Sequence, residues 1–183
     1  MMLEGVNTIA HRLHTAKKEG RLQLEEEIIA RLAEKGRTVA VAESCTGGLV
    51  GHRLTQVPGS SAAFLGGVIA YHNAVKQRVL GVPVDILERQ GAVSEATALA
   101  MAEGARRLLG ADIAVAVTGI AGPSGGTDDK PVGLTYVALV SPESHACERY
   151  LWRGERTANK ESSAEAALAL LCRYLSAEAR RDG

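Results

Sequence analysis

Two apolar runs, TVAVAE at residues 38–43 and DIAVAVTG at residues 112–119, carry no polar residue at every second place. A strand with one face in water would need that alternation. Continuous runs of this length belong to central strands covered by helices on both faces. Each run then opens into a stretch rich in Gly, Ser and Thr: SCTGG after the first, and GIAGPSGGTDDKP at the end of the second. In open α/β sheets, the crevice beyond the carboxyl ends of the strands is where ligands collect. Fold and site are therefore read from the same two segments.

The rest of the chain fits around them. Leu24, Ile28 and Leu32 recur at helical spacing, Glu25, Glu26 and Glu27 suit the positive end, and Gly36 marks a stop. GLVGHRLTQ follows the paired glycines as a helix until VPGSS breaks it, and GGVIAYH (66–72) reads as a strand. Asn73 is positioned to cap a helix through NAVKQRVL, VDILERQ adds a short helical turn, and Ser94 caps EATALAMAEGARRLLG. GLTYVALVS and HACERYLW, on either side of Pro142, form an antiparallel hairpin, and a final helix covers about 156–176. Strands alternating with helices, plus a late hairpin, predict a three-layer α/β/α sandwich with a mixed sheet. Residues 23–183 are expected as one domain. Residues 1–22 are an extension in which Ile9 and Leu13 allow a short amphipathic helix before Gly20 interrupts it.

Composition removes several function classes. Formal net charge is zero and aromatic residues make up 3%, so a basic stripe with stacking rings for nucleic acid is missing. Cys45, Cys147 and Cys172 are odd in number and form no CxxC pair, which speaks against a disulfide framework or a structural zinc site. No apolar segment is long enough for a signal peptide or a membrane span. The expectation is a cytoplasmic protein with no membrane or nucleic-acid partner. A compact domain with an N-terminal arm is expected as a homo-oligomer, a dimer or higher.

Ser44 admits two readings. It is a preferred helix N-cap, as is Thr46; it is also a nucleophile at a strand end, where Gly47 and Gly48 let a ligand approach the backbone. The stretch is neither a G-x-S-x-G nucleophile elbow nor a P-loop. No histidine stands out as a base: His11 and His14 lie in the extension, His145 in the hairpin, and His52 on the helix after the glycines. Lys76 is by default a solvated surface charge. Yet Tyr71 ends a strand and Lys76 lies one turn into the next helix, so both can point at one crevice, and serine–lysine pairs are an established alternative to serine–histidine. The loop TGIAGPSGG (118–126) reads either as a surface loop or as an anion-binding nest of amides. Cys45 ranks below Ser44 as nucleophile, because small buried cysteines are ordinary core residues.

Taken in order, AESCTGG, VPGSSAAF, GVIAYHNAVK, GAVSEATALAMAEGAR and AVTGIAGPSGGTDDKPVG resemble the CinA C-terminal domain family over residues 24–176. The resemblance implies a three-layer α/β/α fold and hydrolysis of nicotinamide mononucleotide to nicotinate mononucleotide and ammonia, with no metal and no cofactor. It places the family's serine on Ser44, its lysine on Lys76 and its tyrosine on Tyr71, and its T-G-I-A-G-P loop on Thr118 to Pro123. Departures are His72 and Ala74, where Ser and Glu are common. In GERTANK, Glu155 and Lys160 replace an Asp and a second Arg, while Arg156 matches. A lysine lacks the bidentate fork of arginine.

The expected mechanism is covalent. Ser44 attacks the carboxamide, Lys76 takes its proton, and Tyr71 orients the pair or relays between them. Amides at Thr46, Gly47 and Gly48 receive the oxyanion. Asn73, Thr118, Gly119, Ala121, Gly122 and Arg156 are expected to bind the substrate, the 118–126 loop and Arg156 holding ribose and phosphate. For Lys76 to serve as a base, its pKa must fall by roughly three units from ~10.4. Two alternatives stand beside this: a non-catalytic nucleotide-binding or regulatory module, and an amidase for another small amide.

Overall fold

The computed structural model describes residues 24–179. The extension expected at residues 1–22 lies outside the described residues. Five strands, β1 (Val39–Glu43), β2 (Phe64–Ile69), β3 (Ile113–Gly119), β4 (Leu134–Val140) and β5 (His145–Leu151), form one sheet in the order β2-β1-β3-β4-β5. β1 is parallel to β2 and β3, whereas β3–β4 and β4–β5 pair antiparallel. The helices are α1 (Leu24–Lys35), α2 (Leu49–Thr55), α3 (Asn73–Arg78), α4 (Val84–Arg89), α5 (Glu95–Leu109) and α6 (Arg156–Ala179). The molecule is the three-layer α/β/α sandwich with a mixed sheet that the pattern predicts.

The two central runs divide their residues by size. Val39, Val41, Ile113, Val115 and Val117 face one core, with Ile28 and Leu32 of α1, Leu54 of α2 and Leu168 and Leu171 of α6. Ala40, Ala42, Ala114 and Ala116 face the other, against Ala98, Met101, Ala102 and Ala105 of α5. Successive strand side chains point to opposite faces, so bulky and small layers follow directly from the Val/Ala alternation. The alanine layer lets an alanine-rich helix lie close to the sheet. Both faces are buried, which is why the sequence carries no polar alternation.

Local signals were met unevenly. Ser94 caps α5, its hydroxyl accepting from the Thr97 amide at 3.2 Å. The cap of α3 is not Asn73 but His72, whose Nδ1 accepts from the Ala74 amide at 3.1 Å. His72 has extended backbone, which sets its ring over the first turn, and Asn73 is already helical. β2 begins and ends earlier than the GGVIAYH run, and α6 runs three residues past the expected end.

What matters for the site is the carboxyl end of β1. The Ala70 amide donates to the Glu43 carbonyl at 2.7 Å, and the Ser44 amide donates to the Val117 carbonyl at 2.9 Å. The ladder thus continues one residue past the strand on both sides. Ser44 is held by the sheet rather than by a free loop.

Candidate active site

Alternation across β1 also sorts Glu43 from Ser44. Glu43 follows Val39 and Val41 toward the face covered by α2, and Ser44 follows Ala40 and Ala42 toward the face from which α3 delivers Lys76. Lys76 is 1% exposed, and its Nζ donates to Ser44 Oγ at 2.9 Å, to the Ala70 carbonyl at 2.7 Å and to the Tyr71 carbonyl at 3.3 Å. A neutral amine has two N–H donors and one lone pair. Two carbonyls and one hydroxyl match that form as well as they match an ammonium, so a proton can pass from Oγ to Nζ without either group moving.

Burial drives the electrostatics. Among the described residues no carboxylate bonds Nζ, and desolvation pulls the Lys76 pKa down to about 8 from 10.5. About one molecule in ten then carries a neutral amine at pH 7. The neighbouring Cys45 thiol is 6% exposed, and burial pushes its pKa up to about 11, so it stays protonated. Of the two candidate nucleophiles at this corner, Ser44 is the one whose side chain is hydrogen-bonded to the Lys76 amine.

The Ser44 cap reading is removed by a residue that sequence reasoning passed over. Glu43 is 1% exposed; its Oε2 accepts from the amides of Gly48 (2.9 Å) and Val50 (3.1 Å), and its Oε1 from Gly51 (2.8 Å). This carboxylate caps α2 in place of Ser44 or Thr46, and its charge suits the positive helix end. The tight return from β1 to α2 needs left-handed backbone at Gly47 (φ 65°) and Gly48 (φ 102°), which glycine adopts without strain.

A cleft of about 240 Å³ opens over the pair, walled by Ser44, Lys76, Val93, Ile120, Gly122 and Arg156 among others. Thr118, Gly119 and Ala121 also line it. The Thr118 hydroxyl donates to the Ala92 carbonyl at 2.7 Å, and Asn159 Nδ2 donates to the Ala121 carbonyl at 3.0 Å. Arg156, in the first turn of α6, donates to the Gly122 carbonyl at 2.7 Å and to the Tyr71 hydroxyl at 3.1 Å. Tyr71 thus reaches Lys76 only through its backbone carbonyl. Its side chain, 62% exposed, is turned to Arg156, which corrects the expectation of a tyrosine relay between Ser44 and Lys76. Asn73 is exposed and is not part of the cleft wall, contrary to its expected place among the binding residues.

The expected oxyanion donors also need correction. The Gly48 amide is bonded by Glu43 and the Gly47 amide donates to the Ser44 carbonyl at 3.2 Å, so neither is available. Thr46, Gly47 and Gly48 instead line a second cleft of about 380 Å³, together with His52, Thr157 and Lys160. Lys160 therefore lines a different cleft from Arg156, although the two are one turn apart on the same helix. Among the described residues, no group of three or more His, Cys, Asp or Glu side chains is placed to hold a metal, and no helix is long and apolar enough to cross a membrane.

Comparison with known proteins agrees with this architecture. A crystal structure of competence/damage inducible protein CihA from Agrobacterium tumefaciens superposes with a TM-score of 0.81 at 41% identity, covering 84% of this chain and 93% of that one. A CinA-like protein of Parasynechococcus marenigrum is 53% identical over 157 residues, and one from an Anaeromyxobacter species is 52% identical over 153. These matches cover 85% and 84% of this chain, which spans only 38% of either relative. The family model for the CinA C-terminal domain matches residues 21–175. The chain belongs to the CinA C-terminal domain family.

Proposed function

We propose that this chain hydrolyses the carboxamide of nicotinamide mononucleotide, giving nicotinate mononucleotide and ammonia. The observation that carries the chemistry is the 2.9 Å contact between Ser44 Oγ and a buried lysine amine. The choice of substrate rests on kinship with the family, and the small-molecule nucleotide is the partner it calls for.

Ser44 Oγ attacks the carboxamide carbon while its proton moves to Nζ of Lys76, and the carbonyl oxygen becomes an oxyanion. The resulting ammonium then gives its proton to the departing nitrogen, the C–N bond breaks, and ammonia leaves an acyl ester on Ser44. Water attacks that ester while Lys76 takes one of its protons, and on collapse Lys76 returns that proton to Ser44 Oγ; the carboxylic acid released ionises to the carboxylate by giving its proton to solvent. With Gly47 and Gly48 occupied, the amides of Cys45 and Thr46, which lie against the Cys45 sulfur, are the donors nearest the oxyanion. Arg156 and the 119–125 stretch supply the polar wall for the remainder of the substrate.

The test is ammonia release from nicotinamide mononucleotide, run beside nicotinamide and its riboside. Ser44→Ala and Lys76→Ala are each expected to lose at least about a hundredfold in kcat while keeping the wild-type melt. Tight binding without ammonia release by the wild-type chain would instead favour the nucleotide-binding module. Turnover of amides lacking the 5′-phosphate at equal efficiency would favour the general amidase. Homo-oligomerisation is supported by edge strand β2, where Leu65 and Ile69 are 44% and 56% exposed. Light scattering that reports a monomer at assay concentration would remove that part of the proposal.

A further inference from the structure

We propose that Asn159 is a positioning residue for substrate binding, fixing the peptide between Ala121 and Gly122 so that the Gly122 amide is presented to the cleft over Ser44. The inference rests on the reading of that cleft as the seat of an amide-bearing nucleotide. Asn159 lies in the first turn of α6, is 2% exposed, and is not part of the cleft wall. Its Nδ2 donates to the Ala121 carbonyl at 3.0 Å, and its Oδ1 accepts from the Gly154 amide at 3.0 Å. A donor and an acceptor used at opposite ends of one side-chain amide fix which way it is turned. The backbone beneath is held as well. The Asn159 N–H donates to the Glu155 carbonyl at 2.8 Å, and the Ser163 hydroxyl donates to the Asn159 carbonyl at 2.6 Å while accepting from Trp152 Nε1 at 2.9 Å. A polar side chain buried to this degree keeps its place where such partners replace its hydration.

On the receiving side the loop is locked one residue at a time. Ile120 pairs with the start of β4, its amide donating to the Leu134 carbonyl at 2.9 Å and its carbonyl accepting from the Gly133 amide at 2.7 Å. The Ala121 carbonyl then goes to Asn159, and the Gly122 carbonyl goes to Arg156 at 2.7 Å. The Ala121–Gly122 peptide is trans, and a trans peptide points its N–H opposite to its C=O. Drawing the Ala121 carbonyl toward α6 therefore turns the Gly122 N–H away from that helix, and Gly122 lines the cleft with Ser44. Pro123 has no N–H, so the next peptide carries an acceptor alone, already taken by Arg156. The Gly122 N–H is thus the donor this corner offers to an oxygen of the substrate beyond its carboxamide. The two ends of Asn159 do different work. The Gly154 contact closes the turn into α6, whereas the Ala121 contact serves the cleft loop. Ser44 and Lys76 follow β1 and sit on α3, and Asn159 makes no hydrogen bond to either among the described residues.

Two variants of the full chain separate those ends. Asn159→Asp keeps an acceptor for the Gly154 amide and loses the donor to Ala121; Asn159→Leu keeps the size and loses both. Each is measured for kcat and KM in ammonia release from nicotinamide mononucleotide, with thermal melts and amide-resolved NMR alongside. In both, KM is expected to rise at least about tenfold while kcat stays within about threefold of wild type. The Gly122 amide resonance is expected to move in both, because the carbonyl of its own peptide has lost a donor. The Gly154 amide should lose protection from exchange in Asn159→Leu and keep it in Asn159→Asp. Where the acid variant does not melt cooperatively, Asn159→Ser takes its place with the outcome expected of Asn159→Leu. Unchanged KM in a folded variant, an unmoved Gly122 resonance, or kcat falling by as much as KM rises overturns the proposal, the last because it marks a general loosening of the site. A wild-type chain that binds the mononucleotide without releasing ammonia defeats the reaction and not this inference; the calorimetric Kd then replaces KM, and the same tenfold loss is required. Turnover by the wild type with KM unaltered in the variants is the reverse case, and a wild type that does not bind the mononucleotide overturns both.

Discussion

The amine of Lys76 sets a pH dependence that can be worked out in advance. Its pKa is drawn to about 8 by burial, and only the neutral form can take the Ser44 proton. From pH 7 to 8 the neutral fraction rises from about a tenth to a half, and by pH 9 it is about nine tenths. kcat/KM, which reports the free enzyme's base, should therefore climb about fivefold between pH 7 and 8 and level off above pH 9. Folding stability moves with it. Because the folded pKa lies below the unfolded 10.5, the folded chain holds fewer protons than the unfolded chain between pH 8 and 10.5, so stability increases with pH across that window. Below pH 8 the buried ammonium costs about 3 kcal/mol. Lys76→Met removes that cost but leaves the Ala70 and Tyr71 carbonyls and the Ser44 hydroxyl short of a partner at about 1 kcal/mol each. The two sides cancel to about 0 kcal/mol at pH 7, and a loss of about 3 kcal/mol is expected at pH 10.5 in urea denaturation. The assay is initial ammonia release from nicotinamide mononucleotide at fixed ionic strength. A profile flat from pH 6.5 to 9.5, or one still rising tenfold per unit at pH 10, would refute the reasoning.

Three further outcomes follow from named contacts. Tyr71→Phe removes a hydroxyl that touches Arg156 at 3.1 Å and not the pair itself, so kcat should stay within about threefold of wild type; a loss of about a hundredfold or more would restore the relay. Glu43→Ala strips three amide bonds from the start of α2, and chemical denaturation should register about 3 kcal/mol of destabilisation with a parallel fall in turnover. Glu43→Gln should recover part of both, whereas an alanine variant as stable as wild type would deny the cap its role. Gly104→Ala would set a Cβ 2.0 Å from the Leu80 carbonyl oxygen, forcing α5 away from the segment that follows Lys76; a melt lowered by the equivalent of about 2–3 kcal/mol is expected, and an unchanged melt would contradict the packing.

The chain gave up its architecture readily because both central strands are long apolar runs and every helix between them has a stop. Ser44 and Lys76 were legible for a related reason: each lies just beyond the carboxyl end of a strand. Glu43 was not. It reads as the first polar residue after an apolar run, and its three partners are backbone amides, five to eight positions along, that leave no mark in residue types. Tyr71 was misread because a side chain's direction depends on what it meets, and Arg156 is 85 residues away. Asn73 lost its cap to His72 because backbone direction, not residue preference, decides which side chain overhangs the first turn. That Arg156 and Lys160 line different clefts was not legible either, because a spacing of four puts both residues on one helix face.

The nucleophile follows the tip of β1, and the base sits on α3, the helix that leaves the tip of the neighbouring parallel strand β2; the alignment of the two strands places Glu43 opposite Ile69. The distance between hydroxyl and amine is thereby inherited from the framework of the sheet. Surface segments around the mouth can lengthen, shorten or change their residues and so alter what is admitted, while the reacting pair stays in step. A slip of one place between those two strands would part them, and no change in the rim could bring them back.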